Sequence, residues 1–315
     1  MLSRAPEAPV RDYYCDSARW EQFTPRDGDV IIATAPKVGT TWTQQIVNLL
    51  VFQNPEPRHL GFLSPWLDCR FQMPLPVALQ VLEAQPHRRF VKSHLPMSAL
   101  PIWDEVKYIH VARDGRDACM SYLNHINGYT PFAWGKLDEI GEADPLLPGP
   151  KPRPPRTTRE FFHHWIEQGG TRKAELMGDA FFEIERSFWA ERTRPNVLLL
   201  HYNDMKADLD GEMRRIAEFL AFEIAEALWP ELVEAAGFEA MKGAAEQLMP
   251  QAGGVWKGGG NTFINKGTNR RWEGVCCPED LARYDAKAKV EFSPSLAAWC
   301  ERGRLMAGDP RALPD

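Results

Sequence analysis

Short apolar runs alternate along this chain with longer stretches whose apolar residues recur every three or four positions. The runs are Asp29–Thr34, Arg89–Val91, Val106–Val111 and Asn196–Leu200. Runs this short, rich in Val, Ile and Leu, suit strands buried on both faces. From Thr40 onward, Trp42, Ile46, Leu49 and Leu50 follow helical spacing. Gly115–His125 and Thr158–Met177 each accommodate one helix. Asp208–Leu220 places Met213, Ile216, Ala217 and Leu220 on one stripe. Strands alternating with helices predict an α/β fold, a single-domain three-layer sandwich with a central, mainly parallel sheet. Ligands of such sheets bind beyond the carboxyl ends of the strands. The residues just after each run therefore carry the candidate chemistry.

One segment breaks the alternation. Gly141–Thr157 contains PLLPGPKPRPPR, whose prolines remove backbone donors and fix φ. It reads as a long surface loop or lid edge. A linker between two domains is the other reading, but strand signals continue beyond it. The 315 residues, 44% hydrophobic and 25% charged, exclude a disordered chain, a fibre or a small disulfide scaffold. A net charge of −6 gives no basic footprint for generic duplex binding, yet leaves room for a few cations gathered in a cleft. The six cysteines form no CxxC pair, Met1–Asp16 has no apolar signal-like core, and no stretch approaches roughly 18 apolar residues. A reducing cytoplasm is the expected setting, with no nucleic acid or membrane as partner.

The first run ends in Thr34-Ala35-Pro36-Lys37-Val38-Gly39-Thr40-Thr41-Trp42, just before a helix. Gly39 lets backbone approach an anion, and amides at the helix start point towards it. Thr40 and Thr41 add hydroxyls, and Lys37 adds a charge. A Walker A loop needs Lys directly after its second Gly, whereas Lys37 precedes Gly39. The second run leads to Lys92-Ser93-His94, whose alternate positions put Lys92 and His94 on one side. Histidine is the usual general base near neutral pH. The third run ends at Arg113, with Ser121 two helical turns on. Arg113 suits bidentate contact with a phosphate. Asp114 and Asp117 allow a rival reading, in which the arginines only pair with acids and cap the helix.

Together these motifs resemble the cytosolic sulfotransferases, including bacterial relatives, from about Asp27 to Trp272. The resemblance implies the sulfotransferase fold, with transfer of a sulfuryl group from 3′-phosphoadenylyl sulfate (PAPS) to a hydroxyl, less readily an amine. Adenosine 3′,5′-bisphosphate (PAP) is the implied product, and no metal is required. Lys37, Val38, Gly39, Thr40, Thr41 and Trp42 match the 5′-phosphosulfate loop. Arg113 and Ser121 match the 3′-phosphate contacts. Tyr202 and Phe238 match nucleotide-framing aromatics, and Asn265-Lys266-Gly267 matches a C-terminal phosphate motif. Val38 stands where the family usually has Ser. Asn265 stands where it has a phosphate-holding Arg, so Lys266, Gly267 or Arg270 would have to compensate. The family's dimerisation pattern is missing after Trp272, which leaves the oligomeric state open.

The implied roles are His94 as general base, with Lys37 and Lys92 neutralising charge at the transferred group. Trp66, Phe71 and Tyr129, from aromatic-rich stretches, are expected to line the pocket of a small apolar acceptor. Two other functions compete. A Mg²⁺-dependent kinase or NTPase of related architecture is disfavoured by the missing Walker lysine. A catalytically weak PAP-binding protein is disfavoured by intact Lys37, Lys92 and His94.

Overall fold

The computed structural model describes residues 1–155, 157–168 and 181–314. Four parallel strands form its centre. In chain order, β1 (Leu2–Arg4) pairs antiparallel with β4 (Ile102–Trp103) in a small separate ribbon. The main sheet takes β2 (Val30–Ala33), β3 (Phe90–Ser93), β5 (Lys107–Ala112) and β6 (Val197–His201) in the order β3-β2-β5-β6. Val30 stands opposite Phe90 and Lys107, and Tyr108 opposite Val197. Each strand lies within a residue or two of its apolar run. Because all four run the same way, the loops after Ala33, Ser93, Ala112 and His201 emerge at one edge.

Helices flank the sheet. Thr40–Phe52 buries Ile46, Leu49 and Leu50, and Leu209–Phe219 buries Met213, Ile216 and Ala217, the stripes read from the spacing. Gly115–Asn127 and Thr158–Gln168 are helical. Residues 169–177 of the expected third helix lie outside the described residues. One buried cluster runs from Tyr13 to Cys300 and includes residues from every strand of the main sheet. Among the described residues, no helix is long and apolar enough to cross a membrane.

The proline-rich segment starts later than its composition suggested. Gly141–Ala143 close the helix Pro131–Ala143, which begins on a proline and buries Ala133, Leu137 and Gly141 at four-residue spacing. No proline interrupts that stripe before Pro145. Beyond it the loop is pinned: the Tyr13 hydroxyl donates to the Gly149 carbonyl at 3.0 Å, and Arg153 pairs with Asp138 at 2.7 Å.

Candidate active site

β2 delivers the chain into a turn that only unusual backbone achieves. Lys37 and Gly39 have φ of 68° and 128°. For a lysine that conformation costs on the order of 1 kcal/mol, a cost met here at a loop rather than in a helix or strand. A Cβ on Gly39 would stand 3.2 Å from the Tyr202 ring, so tight space as well as the positive φ favours glycine. The helix Thr40–Phe52 then starts at Gly39 with no side chain capping it. Its first amides and dipole face the loop, as an anion site requires. Thr40 Oγ1 lies 2.5 Å from Thr34 Oγ1, which itself donates to the Ala35 carbonyl. The Thr40 proton is therefore spent on Thr34. Val38 departs from expectation: its branched apolar side chain is fully buried in the core and does not reach the cavity wall.

β3 brings in Lys92 and His94. His94 Nδ1 lies 2.7 Å from the Thr34 carbonyl oxygen. A carbonyl only accepts, so Nδ1 carries the proton and Nε2 the lone pair. Burial, reinforced by Lys92 and Lys37, holds the imidazole well below its ordinary value despite the opposing Thr34 carbonyl. His94 is thus neutral at pH 7, with Nε2 ready to take a proton. Buried Asp68 braces this wall. It accepts the Trp66 indole at 2.7 Å and the His94 backbone amide at 3.2 Å. Lys92 Nζ rests 4.5 Å over the Trp66 ring, and Lys37 Nζ 4.1 Å over the Phe263 ring. Burial lowers both amines. Lys37, which also feels Lys92, Arg113 and Arg271, falls to about 7.

Arg113 directly follows β5, and the two readings of the arginines there separate cleanly. Arg116 pairs with Asp114 at 2.6 Å and Glu301 at 2.8 Å. Among the described residues, Arg113 pairs with no acid. Its guanidinium donates to the carbonyls of Lys37 and Thr268 and to Asn269 Oδ1, and packs 4.1 Å over Tyr202. Its Nε is buried without a partner. The C-terminal motif is fastened from the same helix start, because Asp117 accepts the backbone amides of Arg270 and Arg271, both at 2.9 Å. Gly267, at φ 62°, packs so tightly that a Cβ would meet Phe238 at 2.6 Å. Trp42 meets Tyr202 edge to face at 5.3 Å and donates its indole N–H to the Ala236 carbonyl.

One cavity of about 340 Å³ gathers all but Val38 of the sequence-predicted residues: Lys37, Gly39, Thr40, Thr41, Trp42, Trp66, Phe71, Lys92, His94, Arg113, Ser121, Tyr129, Tyr202, Phe238, Asn265, Lys266 and Gly267. Arg270 does not compensate for Asn265. Its left-handed backbone turns the side chain outward onto Glu273, and Arg271 lines the cavity instead. Lys206, His125, Trp256 and Phe263 also line it and were missed. Two had a readable signal: Lys206 is four residues after Tyr202, and His125 four after Ser121, each on a shared helix face.

The wall has two characters. Among the described residues, Lys37, Lys92, Arg113, Lys206, Lys266 and Arg271 line it and no carboxylate does. Six cations without an acid, an uncapped helix start and an orphaned arginine nitrogen fit a multiply charged nucleotide such as PAPS. Trp66, Phe71, Tyr129, Trp256 and Phe263 form the apolar end, beside His94.

Comparison with known proteins places the chain in a family. The Sulfotransferase domain family matches residues 27–293. A glycolipid sulfotransferase of Mycobacterium bovis is 33% identical, over 93% of this chain and 94% of its own. A luciferin sulfotransferase of Photinus pyralis is 26% identical, over 87% of this chain and 74% of its own. Among solved structures, retinol dehydratase in complex with androsterone and PAP superposes with a TM-score of 0.70 at 24% identity, covering 92% of this chain and 88% of that one. That likeness establishes the fold.

Proposed function

Since the chain belongs to the sulfotransferase family and is a PAPS-dependent sulfotransferase, we propose that it sulfates the hydroxyl of a small apolar acceptor, with His94 as general base. PAPS, when bound, supplies the activated sulfuryl group. The chain's residues divide the remaining work. His94 Nε2 takes the acceptor's hydroxyl proton, because Nδ1 is held as a donor by Thr34. Lys37 and Lys92 put positive charge where the transferred group's oxygens gain negative charge. The first turn of Thr40–Phe52 holds the 5′ end. Arg113, Ser121, Lys266 and Arg271 hold the 3′-phosphate, and Trp42, Tyr202 and Phe238 frame the base. The aromatic end excludes water and orients the acceptor.

We take the whole chain as one domain, since the buried cluster continues past the proline-rich loop. The same reading puts the enzyme in the cytoplasm, where its thiols stay reduced.

The observation that carries the proposal is the fixed tautomer of His94 within the cation-lined cavity. The test incubates the protein with PAPS and a panel of phenols, steroids, alcohols, amines and a glycolipid, and reads added SO₃ by mass spectrometry. The glycolipid is included because the mycobacterial relative's name specifies one. His94→Ala should lose roughly 10²–10⁴-fold in turnover while PAP binding persists. Undiminished turnover in that variant overturns the base assignment.

A further inference from the structure

Residues 264–268 form one wall of the cavity. They lie outside helix and strand, so no ladder satisfies their peptide groups. Cations take the carbonyls instead. Lys242 Nζ donates to the carbonyl of Ile264 at 3.2 Å and to that of Asn265. Lys206 Nζ donates to the Gly267 carbonyl at 2.7 Å, and Arg113 to that of Thr268 at 2.9 Å. Among the described residues, nothing accepts a hydrogen bond from the amides of Asn265 or Lys266.

Lys242 differs from the other two cations. Lys206 and Arg113 line the cavity, and Lys242 does not. It reaches the segment from behind, on the helix Phe238–Gly243, one turn after Phe238. Its ammonium lies 5.8 Å from the centroid of the Phe238 ring, the ring against which Gly267 packs. In a trans peptide the carbonyl and the amide that follows it point in opposite directions, and the chain's described peptides are all trans. Carbonyls of Ile264 and Asn265 drawn back onto Lys242 therefore turn the amides of Asn265 and Lys266 to the cavity side.

We propose that Lys242 is a positioning residue of the nucleotide site. It holds two carbonyls outward, and the amides of Asn265 and Lys266 then donate to the 3′-phosphate, backbone donors standing where Asn265 brings no cation of its own. This rests on the placement of the 3′-phosphate beside Arg113, Ser121, Lys266 and Arg271. Successive amides turned to one side form an anion-binding concavity. Without Lys242 the two carbonyls are free to swing towards the cavity, where their oxygens repel a phosphate.

The test compares PAP with adenosine 5′-monophosphate (AMP), which lacks the 3′-phosphate, by calorimetry. The native protein should bind PAP more tightly than AMP. Lys242→Met and Lys242→Gln, the latter neutral and shorter, should each weaken PAP roughly 5- to 50-fold and AMP less than about 2-fold. The retained AMP binding shows that the variants are folded. Lys242→Arg, which can donate to both carbonyls, should recover most of the PAP affinity. The native-to-Lys242→Met ratio for PAP should persist in about 0.5 M salt, where charges acting from a distance are screened. Equal losses for PAP and AMP in both neutral variants leave Lys242 a merely structural role and overturn the proposal. So does unchanged PAP affinity in both, or a ratio that collapses to within about 2-fold at high salt. A native protein that binds PAP no tighter than AMP overturns the placement of the 3′-phosphate, and the proposal with it. A native preference that survives in both neutral variants overturns the proposal alone.

Discussion

Replacing Lys37 tests the electrostatics of the cavity most directly. In the free protein this amine sits at about 7, against an ordinary 10.5, because burial and then Lys92, Arg113 and Arg271 disfavour its charge. An arriving phosphate reverses that balance and raises Lys37. Binding then takes up a proton wherever the free amine is neutral. With the charged amine as the binding form, the competent fraction is about one tenth at pH 8 and about one hundredth at pH 9, so PAP affinity should fall roughly 10-fold per pH unit in that range. The fall stops where the bound amine itself deprotonates. The cavity's histidines leave the window clear: His94 and His125 are held well below their ordinary values and stay neutral. The phosphates of PAP are essentially ionised by about pH 7.5. Lys92 and Lys206 are also lowered, mainly by burial, and add to the slope. Stability of the free protein should move the opposite way. A lysine depressed in the native state binds fewer protons than in the unfolded chain, so stability rises with pH between about 7 and 10.5. The assay is PAP calorimetry at pH 7, 8 and 9 in buffers of different ionisation enthalpy, on the native protein and Lys37→Met. The variant should bind more weakly at pH 7, show a flatter slope and take up close to one proton fewer. A flat native profile from pH 7.5 to 9, or an unchanged slope in Lys37→Met, refutes the reasoning.

Two further substitutions probe how the C-terminal motif is held. Asp117→Ala removes the acceptor of two backbone amides and frees the loop that positions Arg271; PAP should bind roughly 10- to 100-fold more weakly, with turnover at saturating PAPS little changed, as titration and steady-state kinetics would show. Gly267→Ala combines a positive φ with a Cβ 2.6 Å from Phe238. It should lower the melting temperature by an amount equivalent to about 1 kcal/mol or more and shrink the stabilisation PAP confers, read by thermal melts with and without nucleotide.

The sheet was legible because its strands are buried on both faces, so each contains a short, mostly apolar run whose position needs no partner to be recognised. The phosphate loop, Arg113 and His94 were legible for a related reason: they directly follow those runs, and the parallel sheet sends every such loop to one edge. What stayed hidden depends on how distant segments meet. Nothing local distinguishes Arg270 from Arg271. The choice is made by Asp117, some 150 residues earlier, whose carboxylate takes both amides and sends one side chain out and the other in. Trp256 and Phe263 likewise read as ordinary aromatics until the chain folds them against His125. The cations followed the same logic. Dispersed along the sequence they vanish into a net charge of −6. Converging on a cavity without a carboxylate, they depress one another's charged forms and store an affinity that only an anion releases. The acceptor end is walled mainly by aromatic rings. Its selectivity must therefore come from shape and from the few polar groups set into aromatic walls.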